Sequence, residues 1–413
     1  MGYISAVKAA SQVLPLRIRN LGIYAFGIII LWLEGVYFGG YLKTLFVFAL
    51  GLPLVSILMT LYTATRLRYG QRFDNEHPAK GQTVHYRLAL SNEGIFPVSH
   101  LHVHFKRIQE NMDLVMQAFS CFLRPREQIA REFSFHCAYR GIYTVGLERL
   151  EVEDPLRILT ISRPVVYQTF YVYPRILELT RFALSTEYIE GAGTGAAQGG
   201  DPDYALFTQL KEYREGESIR HMHWKKFIST GVPFIKQYDT TAEPDIRIYL
   251  DVRKPLKTGL TALDIEDTSV EILVALVKNF LDRRIGLQVS APGRELYRFR
   301  GTHPSQFERF YRSTMNLIFQ NTMSPASLYR ADSAAAAYEG TCVIITHLLD
   351  GEVFSLLEES LAGSQSLILI FNQAGLDRAE REQAENYFHN LRERGARIVQ
   401  VNSSDTIIAD LEI

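Results

Sequence analysis

The stretch TLFVFALGLPLVSILMTLYTA, residues 44–64, decides how the rest of the chain is read. It carries no charge. As a helix rising about 1.5 Å per residue it reaches roughly 30 Å, the thickness of a bilayer's hydrocarbon core. Upstream, Leu21 to Phe38 is almost entirely apolar, with its one charge, Glu34, near its far end. Gly39-Gly40 between the two runs reads as a tight turn, so the pair predicts a transmembrane helical hairpin over 1–68. Trp32, Tyr37 and Tyr41 stand where an aromatic belt is expected. A carboxylate is costly at mid-bilayer and tolerated at the interface, which places Glu34 at the outer surface. A cleaved signal peptide would be followed by polar mature sequence, and here a second apolar span follows.

Orientation comes from the short flanks. Lys8, Arg17 and Arg19 precede the first span, Arg66, Arg68 and Arg72 follow the second, and the turn holds only Lys43. The positive-inside rule then predicts an inner (plasma) membrane protein with both termini and the soluble domains in the cytoplasm.

The 413 residues exceed one ordinary domain, and a hydrophobic share of 47% is enough for several cores. A net charge of -1 excludes the disordered class and argues against binding nucleic acid by bulk charge. The near-zero mean hydropathy excludes a polytopic transporter. Three cysteines without a C-x-x-C support neither a disulfide framework nor a zinc site, and fit a reducing compartment.

Beyond the anchor, residues 69–178 alternate with period two. Val84, Tyr86, Leu88 and Leu90 form one run, Leu101, Val103 and Phe105 a second, Phe133, Phe135 and Cys137 a third. Turn signals at Asn92-Glu93-Gly94, Arg140-Gly141 and Asp154-Pro155 separate such runs, which predicts a β-sandwich. His100, His102 and His104 fall on the face opposite Leu101, Val103 and Phe105, and read as solvated histidines rather than metal ligands.

Residues 179–244 combine a glycine-rich linker with a dense polar segment. Gly191-x-Gly193-x-x-Ala196 nominally matches a dinucleotide fingerprint, yet no strand leads into it and Gly199-Gly200-Asp201-Pro202 stops any helix after it. From 245 to 413 strands and helices alternate. Ile246 to Leu250, Cys342 to Ile345 and Leu367 to Phe371 are apolar runs of the kind found in central parallel strands, and Thr268-Ser269-Val270-Glu271 reads as a capping box opening a helix. This predicts a doubly wound α/β domain with any site at the carboxyl ends of its strands.

The polar segment carries Leu210-x-x-Tyr213-Arg214-x-Gly216-Glu217-x-x-Arg220-x-x-His223-Trp224-Lys225. It resembles the signature of the family called "domain of unknown function 58", approximately L-x-x-Y-x-x-G-D-x-x-R-x-I-x-W-K-x-x-A-R. Tyr139-Arg140-Gly141-Ile142-Tyr143, Asp154-Pro155-Leu156 and Tyr173-Pro174-Arg175 are similar to further segments of that family. Glu217 replaces the usual Asp, Met222 stands at the Ile position, His223 stands where Asp is common, and Phe227 to Ser229 lacks the A-R pair. The resemblance implies a membrane-anchored accessory protein with a von Willebrand factor type A-like C-terminal domain. It implies work with a MoxR-type AAA+ ATPase on the maturation or assembly of client proteins; no cofactor and no catalysis are expected. Within the segment, Tyr213, Arg214, Gly216, Glu217, Arg220, His223, Trp224 and Lys225 read either as an intramolecular clamp or as a partner-docking surface, since arginine stacks on tryptophan and forks onto carboxylates.

A type A domain often holds a divalent cation on D-x-S-x-S after its first strand. Here the run is Asp251-Val252-Arg253-Lys254-Pro255, with Arg253 and Pro255 in place of both serines. A cation there would lose two hydroxyl ligands and meet a fixed positive charge, so the site reads as degenerate, with Asp350 a late carboxylate able to serve a metal or pair with Arg253. The expected function is a non-enzymatic scaffold or adaptor. A metal-dependent protein-binding (adhesion-type) module is the alternative, and a hydrolase ranks last because no activated nucleophile, Walker motif or H-E-x-x-H is present.

Overall fold

The computed structural model describes residues 12–13, 17–106, 116–166, 168–180, 182, 202–212, 234–240, 246–293, 296–335, 340–362 and 366–412. The chain divides into two compact units, 1–175 and 176–413.

In the first unit a two-residue strand β1 (Gln12–Val13) precedes helices α1 (Ile18–Phe38) and α2 (Tyr41–Arg66). Gly39 and Gly40 turn the chain between them at φ 62° and 61°, a left-handed backbone that glycine adopts without steric cost. Both helices are long and apolar enough to cross a membrane, and most of their surface is exposed. Nine strands follow among the described residues: β2 (Leu67–Phe73), β3 (Thr83–Asn92), β4 (Val98–Phe105), β5 (Phe119–Leu123), β6 (Gln128–His136), β7 (Gly141–Val145), β8 (Leu147–Glu153), β9 (Thr160–Pro164) and β10 (Gln168–Val172). They form antiparallel sheets in the orders β1-β9-β8-β4-β5, β2-β3-β6 and β10-β7. One apolar core joins all three. Val84, Tyr86, Leu88 and Leu90 of β3 enter it at every second position, as do Leu101, Val103 and Phe105 of β4. Phe73 packs between Tyr86 and Phe170, at 5.3 and 5.1 Å.

The second unit opens with residues that the sequence assigns to the linker. Leu179 and Phe182 are buried in its core, Leu179 O accepts from Asn279 Nδ2 at 2.6 Å, and Phe182 meets Phe280 edge-on at 5.9 Å. Strands β11 (Pro202–Glu212) and β12 (Phe234–Thr240) then pair antiparallel, with irregularities between 203 and 209. The rest alternates: β13 (Ile246–Leu250), α3 (Leu260–Asp282), β14 (Leu287–Ala291), β15 (Tyr297–Gly301), α4 (Phe307–Ser313), α5 (Pro325–Ala335), β16 (Thr341–Thr346), α6 (Gly351–Ala362), β17 (Leu367–Asn372), α7 (Arg378–Glu393), β18 (Arg397–Val401) and α8 (Ile407–Leu411). Six strands form one mostly parallel sheet, β15-β14-β13-β16-β17-β18, with only β15 antiparallel to its neighbour. Ile246, Ile248 and Leu250 point into a core shared with α3, while Tyr249 and Ile344 point into another shared with α5, α6 and α7. Burial on both faces is why these strands read as continuous apolar runs.

The expected capping box is not a helix start. α3 begins two turns earlier, after Gly259, and Thr268, Ser269 and Glu271 lie buried in its middle. Ser269 Oγ accepts from Asn372 Nδ2 at 2.9 Å, and Ser404 Oγ donates to Glu271 at 2.6 Å. Ser269 and Glu271 thus pair with distant elements, and local sequence alone makes the run look like a cap.

Candidate functional site

Strand β13 ends at Leu250 and delivers Asp251 to the carboxyl edge of the sheet, beside the end of β16. Asp251 is fully buried. Its backbone N–H donates to Ile345 O at 2.8 Å, which continues the parallel ladder and fixes the carboxylate in place. Two residues on, Arg253 turns its side chain back. Its Nε donates to both Asp251 oxygens at 3.0 and 3.1 Å, Nη2 donates to Oδ2 at 2.7 Å, and Nη1 pairs with Asp350. Thr346 Oγ1 donates to Asp251 Oδ2 at 2.6 Å. Asp350 in turn accepts from Val353 N at 2.9 Å at the start of α6.

Two carboxylates, Asp251 and Asp350, thus converge on one guanidinium, and Thr346 braces the inner one. Burial works against the Arg253 charge, but hydrogen bonds and charge from Asp251 and then Asp350 outweigh it and hold its pKa above the ordinary arginine value. A fork contact of this kind is geometrically specific. Pro255, also buried, offers no hydroxyl. The residues present do not fit a divalent cation, because the centre of the oxygen cluster is filled by a covalently attached positive charge.

Next to the cluster, His347 is buried against Phe319, with ring centroids 6.0 Å apart. Burial lowers its pKa; the Asp251 charge opposes this, the Arg253 charge adds to it, and a hydrogen bond with the Arg253 backbone opposes it. On the other side of β13 a cleft of about 860 Å³ opens over the ends of β13 and β14, lined among others by Val252, Leu296, Leu317, Ile318 and Asn321.

The segment Tyr213, Arg214, Gly216, Glu217, Arg220, His223, Trp224 and Lys225 lies outside the described residues. The β4 histidines are not simply solvated. His102 Nδ1 pairs with Ser120 at 2.6 Å, His104 Nε2 with Glu151 at 3.1 Å, and His100 Nε2 with Arg157 at 3.1 Å. Their partners differ, and among the described residues no three His, Cys, Asp or Glu side chains gather as a metal group.

A third cluster is absent from the sequence expectations. Ser56, Thr60 and Thr63 form a buried polar stripe on α2, which packs against β8 and β9. Ser56 Oγ donates to Asp154 Oδ2 at 2.8 Å, and the same carboxylate accepts from the backbone N–H groups of Leu156, Ile158 and Leu159 at 3.0, 2.6 and 2.6 Å. Arg17 pairs with the buried Glu153, and Asn20 Nδ2 donates to Arg157 O at 2.8 Å. The base of the apolar hairpin is therefore fastened to the 153–159 loop. The signal in the sequence is three hydroxyls at i, i+4 and i+7 inside an apolar helix.

No family model matches the chain, and no curated protein matches it. Among solved structures, proximal thread matrix protein 1 from the mussel byssus aligns at 13% identity and a TM-score of 0.29, over 41% of this chain and 45% of that one. A β-glucosidase from Listeria innocua aligns at 10% identity and 0.17, over 26% and 16%, and the alkylpurine DNA glycosylase AlkC of Pseudomonas fluorescens at 12% and 0.18, over 34% and 43%. The chain spans less than half the length of each of these structures, and scores at this level carry no functional argument.

Proposed function

We propose that the chain is a membrane-anchored, non-enzymatic scaffold or adaptor of the "domain of unknown function 58" type. In this reading the first unit's sheets are a β-sandwich and the second unit is a von Willebrand type A-like domain. Both lie in the cytoplasm and work with a MoxR-type AAA+ ATPase on client proteins. The motif resemblance supports the family. Two exposed apolar helices flanked by arginines support the anchor and its orientation. The observation that carries the choice of a scaffold over an adhesion module is the seat of Arg253 between Asp251 and Asp350. A type A-like domain whose cation position is filled by its own arginine binds partners through surface complementarity, with aromatic and arginine anchors such as Trp224 and Arg214.

The test is co-purification of the detergent-solubilised protein with a MoxR-type ATPase from the same genome. Loss of the complex in Trp224→Ala or Arg214→Ala, with the thermal unfolding curve unchanged, supports a docking surface. An unchanged complex assigns these residues to an internal clamp. Digestion of the soluble units by protease added outside intact cells overturns the orientation.

A further inference from the structure

The last three turns of α2 have two faces that demand different surroundings. One carries the buried stripe Ser56, Thr60 and Thr63 against the β-strands. The other carries Leu58 and Leu61, which stay exposed beside a soluble fold. A loop of the β-unit lengthens this apolar face. Residues 93–97 connect β3 to β4 and hold Ile95 and Phe96 outward, 60% and 42% exposed.

The loop is built to hold them there. Asn92 is fully buried; its Nδ2 donates to Phe96 O at 2.8 Å and Arg124 O at 3.0 Å, and its Oδ1 accepts from Gly94 N at 3.0 Å. Glu93 N donates to Arg66 O at 3.1 Å, which ties the loop to the end of α2. Phe96 meets Tyr62 edge-on, centroids 5.6 Å apart. A Cβ on Gly94 would stand 3.1 Å from the Tyr62 ring, so the close approach of loop to helix favours glycine. Arg66 and the Arg68–Glu93 pair, at 3.1 Å, mark where the apolar surface turns polar.

Apolar side chains fixed outward by a buried asparagine cost free energy in water. The surface they extend is continuous with a helix read as crossing the bilayer. We propose that the 93–97 loop is a lipid-inserting element, with Ile95 and Phe96 in the same leaflet as Leu58 and Leu61 of α2 and the arginines at the headgroup level. This deepens the anchor reading and rests on it. The β-unit then lies on the membrane at a fixed attitude instead of hanging from a tether.

Single-tryptophan proteins test this. In a Trp32→Phe, Trp224→Phe background, Phe96→Trp, Phe48→Trp and Ile142→Trp are each reconstituted into phosphatidylcholine–phosphatidylglycerol vesicles with and without brominated acyl chains. Phe48 reports the span. Ile142 is an exposed residue beside Tyr143, which stacks on Phe170; Phe170 in turn meets Phe73, at the end of β2 away from α2. The expected result is blue-shifted emission and strong bromine quenching at 96 and 48, with none at 142. Quenching at 48 but not at 96, with 96 open to aqueous acrylamide, overturns the loop proposal and leaves the anchor standing. No quenching at 48 overturns the anchor reading and the loop proposal with it.

Discussion

Ser56, inside the second apolar helix, donates its hydroxyl hydrogen to the buried carboxylate of Asp154 at 2.8 Å, joining residues 98 positions apart. In the sequence, Asp154-Pro155-Leu156 reads as a motif and a turn. In the structure its aspartate is the joint between the apolar hairpin and the β-unit, because one carboxylate gathers a helix hydroxyl and three loop N–H groups.

Substituting Ser56 by Ala leaves Asp154 its backbone donors and removes one buried hydrogen bond, an expected cost of about 1–3 kcal/mol. Asp154→Ala strips the acceptor from Ser56 and from the buried N–H groups of Ile158 and Leu159 together, so its expected cost is at least about 3 kcal/mol. Thermal unfolding of the full chain in detergent measures both. Equal and negligible shifts would mean that helix and β-unit are not coupled at this point.

The hairpin is legible because a long charge-free run seldom occurs outside a membrane span, and the strands because a half-buried strand shows its period in β3 and β4. The joint is not legible. Ser56, Thr60 and Thr63 vanish in a hydropathy average, and nothing near them in sequence names Asp154. The mid-helix polar run Thr268 to Glu271 misleads for the converse reason: its partners, Asn372 and Ser404, come from distant elements. Strands β11 and β12 read as a connector and a polar element because glycine and charge dominate their surroundings. At the Asp251 cluster, sequence spacing supplies the candidate residues, whereas the role of Thr346 requires the parallel pairing of β13 with β16.

The Arg253 cluster gives a graded series. Arg253→Ala leaves the fully buried Asp251 carboxylate without its counter-charge, an expected loss of about 3–5 kcal/mol. Asp350→Ala removes a partner that is about a third exposed, and its cost is about 1 kcal/mol or less. Thr346→Val falls between, at about 1–3 kcal/mol for a buried hydroxyl bonded to a carboxylate. Denaturant unfolding of the three variants checks the order. A destabilisation by Asp350→Ala as large as that by Arg253→Ala would show that the outer pair, not the buried one, carries the cluster.

Because the guanidinium fills the oxygen cluster, calorimetric titration of the native protein with Mg²⁺ or Mn²⁺ is expected to give no saturable heat. Arg253→Ser removes the internal cation, leaves the Asp251 and Asp350 carboxylates without it, and is expected to regain thermal stability as Mg²⁺ is added, as ligand linkage requires. Saturable binding by the native chain, abolished by Asp251→Ala, would instead promote the metal-dependent adhesion reading.

His347 makes the stability of the second unit depend on pH in a definite direction. Burial, the largest influence, lowers its folded-state pKa below the ordinary value of 6.5; the Asp251 charge and a hydrogen bond with the Arg253 backbone pull the other way, and the Arg253 charge reinforces the lowering. Between the two pKa values the unfolded chain binds the proton and the folded chain does not, so stability rises with pH there. The contribution is complete above about pH 6.5 and is lost as pH falls below that value, by up to about 1.4 kcal/mol per unit, until the folded-state pKa is reached. Other groups titrate in the same range, so the informative quantity is the difference between the native protein and His347→Phe. That variant keeps a ring against Phe319 and is expected to flatten the acid limb of the stability profile below about pH 6.5. Parallel profiles for the two proteins would mean that His347 takes up its proton as readily folded as unfolded.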